Sequence, residues 1–185
     1  MAQIYDNIDI KFTDGLKGII TNTGVKRVDF CVGFFNLRGW NLVVDQIDYL
    51  EGEFIYEKDE RVFRTCRLLI GMHRPPEDII RKFYTSVSDT LIDGEEVRKC
   101  RRAIAVEFRK QLTIGIPSKK DEWTIRRLTA QLKEEKVIVK LYLKEPLHAK
   151  LYLAHRPDDH FNKIQAIMGS SNLTYSGLTD RKSVV

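Results

Sequence analysis

Leu147-His148-Ala149-Lys150-Leu151-Tyr152-Leu153 alternates without a break. As an extended strand it sends His148, Lys150 and Tyr152 to one face and Leu147, Ala149, Leu151 and Leu153 to an apolar one. An imidazole capable of nucleophilic attack then stands beside an ammonium on a rigid element. One strand later, the apolar run Ile164 to Met168 breaks into Gly169-Ser170-Ser171-Asn172. A glycine corner followed by small hydroxyl and amide side chains offers N–H groups, a hydroxyl and an amide to an anion, as phosphate sites do.

Upstream, the pattern switches repeatedly between helical and extended periods, which predicts an α/β fold. Thr13 to Thr23 reads as a short helix with Leu16, Ile19 and Ile20 inward, closed by Asn22-Thr23-Gly24. Val25 to Phe35 follows as a central strand, and Trp40, Leu42, Val43, Ile47 and Leu50 mark a helix. Glu51 to Val62 is charged and patternless, a surface loop or weak edge, and Phe63 to Met72 is the next strand. Two helical pieces, Glu77 to Ser86 and Glu95 to Thr113, are joined by a polar link from Ser88 to Gly94. Asp121 to Glu134 is a helix with Trp123, Ile125, Leu128 and Leu132 inward, and Val137 to Leu143 a strand. Phe34, Phe35, Trp40 and Trp123 all fall at core-like positions, so none reads as a stacking platform.

The chain has 185 residues, 43% of them hydrophobic and 31% charged, which fits one folded domain over residues 1–185 and not a disordered segment. No apolar run is long enough for a membrane span, and the first residues lack signal-peptide features. Cys31, Cys66 and Cys100 are few, odd in number and far apart, as reduced buried thiols of a cytoplasmic protein would be. A formal net charge of +5 favours a polyanionic partner. Basic residues crowd into 98–102, 109–110, 119–120 and 126–127 with glutamates and aspartates interleaved. They read equally as a solvated helix surface or as a nucleic-acid track.

His148-Ala149-Lys150 followed by Gly169-Ser170-Ser171-Asn172 resembles the signature of the phospholipase D-like phosphodiesterases. The longer run Gly169 to Leu178 is similar to the nuclease branch, in particular to the phospholipase D-like modules at the N-terminus of some superfamily II helicases. The resemblance covers roughly the last quarter of the chain. It implies a phospholipase D-like α/β sandwich: a mixed, mostly parallel sheet with helices on both faces. It also implies a metal-independent phosphodiesterase with no cofactor, acting on DNA as part of a longer chain that carries a helicase or restriction-type domain.

In that chemistry His148 supplies the nucleophile, Lys150 and Asn172 hold the phosphate, and Ser170 bonds to the phosphate or to a second histidine. Ser171, Tyr152 and Thr174 are the candidate substrate contacts beside them. The family works with two such sets facing one another, whereas this sequence holds one, so a homodimer sharing the site is expected. The chain departs from the family at His155, where an aspartate is common. Asp158 or Asp159 in the loop Arg156 to Asn162 are candidate replacements, and Asp180 is the one acid near the end that could orient the histidine.

Plainer readings stand beside these. Ser171 and Asn172 can cap a helix starting at Leu173. His73, His155 and His160 suit turns and loops. Two rival functions also stay open: an inactive phosphate- or nucleic-acid-binding or dimerisation module, and a lipid phosphodiesterase, for which no membrane-facing patch is visible.

Overall fold

The computed structural model describes residues 5, 7, 10–72, 77, 94–112, 118–157 and 160–180. Along the chain these form α1 (Phe12–Ile20), β1 (Arg27–Val32), α2 (Leu37–Trp40), α3 (Val44–Tyr49), β2 (Glu53–Glu57), β3 (Glu60–Arg64) and β4 (Cys66–Ile70). α4 (Gly94–Leu112), α5 (Lys119–Lys133), β5 (Val137–Leu141), β6 (Lys150–His155), β7 (Ile164–Met168) and α6 (Tyr175–Thr179) follow. Five strands make one sheet in the order β5-β4-β1-β6-β7. β5, β4 and β1 run parallel, β6 runs against β1, and β7 runs against β6 and therefore with β1. The fold is α/β with a mostly parallel sheet. No described helix is long and apolar enough to cross a membrane.

Strand alternation sorts the sheet into two unlike faces. Val28, Phe30 and Val32 of β1, Leu68 and Ile70 of β4, and Tyr152 and Ala154 of β6 are buried in one cluster with Phe12, Leu16, Trp40, Ile47 and Leu128 from the helices. The other row, Cys31, Leu69, Leu151 and Leu153, is half-buried. The described helices pack on the first face, so the expected two-sided cover is seen on one side alone among the described residues. Charged side chains of the β2–β3 hairpin reach the second face, where Glu57 meets Arg67 at 3.6 Å and Lys140 at 3.3 Å.

That hairpin corrects the reading of residues 51–62 as patternless. Lys58 and Asp59 both take positive φ, 50° and 68°, which is the two-residue turn whose twist suits paired strands. Neither is the glycine that would advertise such a turn. Phe54 and Phe63 meet edge to face at 5.4 Å across the pair, and Arg61 covers Phe54 at 4.4 Å. The helical piece expected at Glu77 to Ser86 and the link before Gly94 lie outside the described residues, Glu77 excepted.

α5 keeps part of the expected face inward, with Leu128 buried and Ile125 half-buried against the core, and departs from it elsewhere. Asp121, Thr124, Leu128 and Gln131 are buried, whereas Trp123 is 50% exposed and Leu132 is exposed too. The α2 end that α5 packs on presents polar groups: Gln131 accepts from the Trp40 indole at 3.2 Å, Thr124 donates to Asn41 at 3.0 Å, and Arg38 pairs with Asp121 at 3.3 Å. Trp123 lies under the Arg127 guanidinium at 4.7 Å. Ser118 starts the helix with a reciprocal cap: its hydroxyl accepts from the Asp121 N–H at 3.2 Å, and Asp121 accepts from the Ser118 N–H at 2.9 Å. Ser118→Ala is expected to cost about 1 kcal/mol in urea unfolding; an unchanged midpoint would show that the cap is not limiting.

Candidate functional site

β1 and β4 are each followed by a glycine, Gly33 and Gly71, at the carboxyl end of the strands where open α/β folds place ligands. The pairing of β1 with β4 continues past the strands, with the Gly71 N–H donating to Val32 and the Met72 N–H to Gly33, each at 2.9 Å. The Leu147 N–H then donates to the Gly71 carbonyl at 2.9 Å, and a Cβ on Gly71 would run into the Leu147 backbone. A bare backbone is needed for the segment carrying His148 to lie this close. His148 itself stands just ahead of β6, which begins at Lys150.

Gly33 brings the two halves of the sequence pattern together. The point its Cβ would occupy lies 3.0 Å from His148 Cδ2, 3.1 Å from Asn172 Oδ1 and 3.1 Å from Met72 Cγ. Asn172 is held by the next residue, because its Oδ1 accepts the Phe34 N–H at 3.0 Å. With that oxygen committed, the amide NH2 is the end left to donate. Phe35 bridges to Leu173, and the Asn36 N–H donates to the Leu173 carbonyl at 3.2 Å, so the segment after β7 is laced to the segment after β1. α2 then crosses Leu173 at Gly39, where a side chain would strike the Leu173 backbone.

Lys150 pairs across the sheet with Val32 and is only 9% exposed, with Nζ donating to the His148 carbonyl at 3.3 Å. Gly169 donates to the Lys150 carbonyl at 3.2 Å, which sets the exposed Ser170 beside the start of β6. The His148 side chain is exposed and makes no hydrogen bond among the described residues. Its ring meets Phe34 edge to face at 6.4 Å. His148, Lys150, Ser170 and Asn172 therefore share one end of the sheet.

Of the three substrate contacts expected from the sequence, Tyr152 and Ser171 are buried away from that surface and Thr174 is engaged as a cap. Tyr152 is fully buried between Phe12 and Phe30, at ring distances of 5.4 and 5.2 Å, and its hydroxyl donates to the Ser171 carbonyl at 2.8 Å. The face it shares with Lys150 turns into the core one step along the strand. Burial pushes its phenol well above the ordinary range. Ser171 is buried as well. Thr174 is a helix cap, its hydroxyl accepting the Gly177 N–H at 3.0 Å ahead of α6. Ser171 and Asn172 are not caps, because the helix starts at Tyr175.

Gly33 is a site residue that the motif pattern does not point to, and Phe34 is one that the core reading misplaces. An isolated glycine closing an apolar strand run is the available signal for Gly33, since it marks close approach of another chain segment. Phe34, expected in the core, is 44% exposed. Phe35 and Trp40 are buried as expected.

Compared with known protein families and with curated proteins, the chain matches none.

His155 belongs elsewhere. It closes β6 at the end opposite Lys150, and its Nε2 lies 2.9 Å from Asp29. Asp29 also accepts from Arg67 at 2.8 Å and from Arg27. Burial alone would raise its carboxyl, but the hydrogen bonds from Arg67, His155 and Arg27 hold it far below the usual range. The loop after β6 leaves from this far end, and Arg156 ties its base to Thr23, Asn162 and Gln165 at 3.0–3.1 Å. Asp158 and Asp159, like His73, lie outside the described residues, and His160 accepts the Asn162 N–H within the loop. Asp180 follows α6 and bonds to the Thr179 hydroxyl at 3.3 Å. Among the described residues no group of three His, Cys, Asp or Glu is placed to hold a metal ion. All three cysteines are free, Cys66 and Cys100 being buried; burial raises the Cys66 thiol well above its ordinary value.

Proposed function

We propose that the chain is a phospholipase D-like, metal-independent phosphodiesterase of the nuclease type, acting on DNA at a site shared by two protomers. The observation that carries this reading is the convergence of His148 and Asn172 on the bare backbone of Gly33, with Lys150 beside them. An exposed imidazole, an amide donor and an ammonium at one strand end are what a phosphodiester needs: a nucleophile and positive groups for the non-bridging oxygens. One imidazole attacks phosphorus, forming a P–N bond as the P–O bond to the leaving oxygen breaks. The partner's imidazole gives that oxygen its proton. Water then attacks the phosphohistidine and passes a proton to the second imidazole, which frees a phosphate monoester and restores both rings. In the longer protein such a module would cut nucleic acid handled by a helicase or restriction-type domain in the cytoplasm.

Nicking of plasmid DNA in excess EDTA tests the reading, together with capture of labelled phosphate on the protein in an acid-labile, alkali-stable bond. No cleavage by a folded dimer would favour the alternative, a binding or dimerisation module that keeps the phosphate site without turnover. Asn172→Asp is expected to keep the Phe34 N–H bond yet lower cleavage by roughly a hundredfold, since a carboxylate replaces the amide donor facing the phosphate. Activity within a few-fold of wild type would remove Asn172 from the phosphate site.

A further inference from the structure

Phe34 is an apolar ring in a place where burial does not explain it. Its neighbour Phe35 points into the core and stacks on Phe108 at 6.3 Å, so strand alternation turns Phe34 outward. Its backbone N–H is committed to Asn172, and its ring stands edge to face with His148. Phosphate recognition has no use for an exposed aromatic face, whereas a nucleobase does.

We propose that Phe34 is a stacking platform for one unpaired base next to the scissile phosphate, and that the substrate class is therefore single-stranded nucleic acid. The proposal rests on the phosphodiesterase reading for its cleavage test but not for its binding test. Bases inside a duplex already stack on their neighbours and offer no free face, so the platform selects strands whose bases can be splayed out. The ring's fixed position matters too. The same backbone that presents Phe34 also holds Asn172, so a base on the ring and a phosphate at the amide would be gripped as parts of one nucleotide.

The test crosses two changes, Phe34→Ala in the protein and an abasic site in the strand. On a single-stranded oligonucleotide, F34A is expected to raise KM roughly tenfold, the scale of one lost base–aromatic contact. On the same strand with the base removed at the cleaved position, the F34A penalty should shrink severalfold, and Phe34→Trp should restore the normal strand. Wild type should prefer the single strand to its duplex by at least about tenfold. An equal F34A penalty on both strands would overturn the proposal and leave Phe34 as a support for Asn172 or as a contact with a second copy. Preference for duplex would overturn it as well. Binding is read separately, by quenching of 2-aminopurine in a short single strand. Quenching by wild type that is lost in F34A, with no cleavage by either, would support stacking while sinking the nuclease reading. Equal quenching by both proteins would overturn the stacking proposal whatever the cleavage result.

Discussion

His148→Ala should lower EDTA-resistant cleavage by at least about a thousandfold while leaving the fold intact, because removing the nucleophile leaves only the groups that hold the phosphate. The side chain is exposed and makes no hydrogen bond among the described residues, so its loss should shift the urea midpoint by no more than a surface substitution does. A shared site makes a sharper demand. If each turnover needs one imidazole from each protomer, a mixed dimer of wild type and H148A is dead. An equal mixture of exchanged subunits then retains about a quarter of the activity of wild type alone. If each protomer works by itself, the mixture retains about half. Loss of less than tenfold in pure H148A would sink the phosphohistidine mechanism, and a half-active mixture would sink the shared site.

The fold was legible where burial and chain pattern agree. Phe30, Val32, Leu68 and Ile70 are apolar, sit in parallel strands and are buried, and the pattern alone places them there. It failed where packing partners overrode local pattern. On α5 the apolar positions Trp123 and Leu132 lost the inward face to Thr124 and Gln131, because Asn41 and the Trp40 indole present polar groups that need partners. No window of sequence around Trp123 contains that information. The β2–β3 hairpin was missed for a different reason: its turn uses Lys58 and Asp59 at positive φ, where only a glycine or asparagine would have announced itself.

At the site, residue types were readable and their neighbours were not. Period-two alternation put Tyr152 beside His148 and Lys150, but alternation gives the face of a strand and not the depth along it. His148 and Lys150 stand at the open end, while Tyr152 lies one step further in, under Phe12. Asn172 could be read as a helix cap from its local sequence. What decides its role is the Phe34 N–H, distant in sequence and brought near only because β6 lies between β1 and β7. Gly33 shows the same dependence, since the close approach that requires it involves two segments more than a hundred residues downstream.

Asp29→Asn should be strongly destabilising although it lies away from the site, at about 3 kcal/mol in denaturant unfolding at neutral pH. Asp29 accepts from Arg67 at 2.8 Å and from Arg27, His155 Nε2 lies 2.9 Å away, and the Arg27 side chain is buried. Removing the carboxylate leaves that guanidinium with Glu53 at 2.8 Å as its remaining carboxylate, and leaves Arg67 with Glu57 at 3.6 Å. A buried cation short of a partner costs more than the pair contributed, because its desolvation is no longer offset. The pH dependence has a definite sign. The folded carboxyl is held below its unfolded value, so the stabilisation is fully present above about pH 4 and is lost as the pH falls below that, where the unfolded chain takes up a proton that the folded one resists. The gap between wild type and D29N should therefore be constant from neutral pH down to about 5 and should narrow in acid. His155 lies in the same network, so the series is repeated in a His155→Gln background. A cost under 1 kcal/mol at neutral pH, or a gap that stays the same down to pH 2, would show that the network is solvated and that Arg27 does not depend on Asp29.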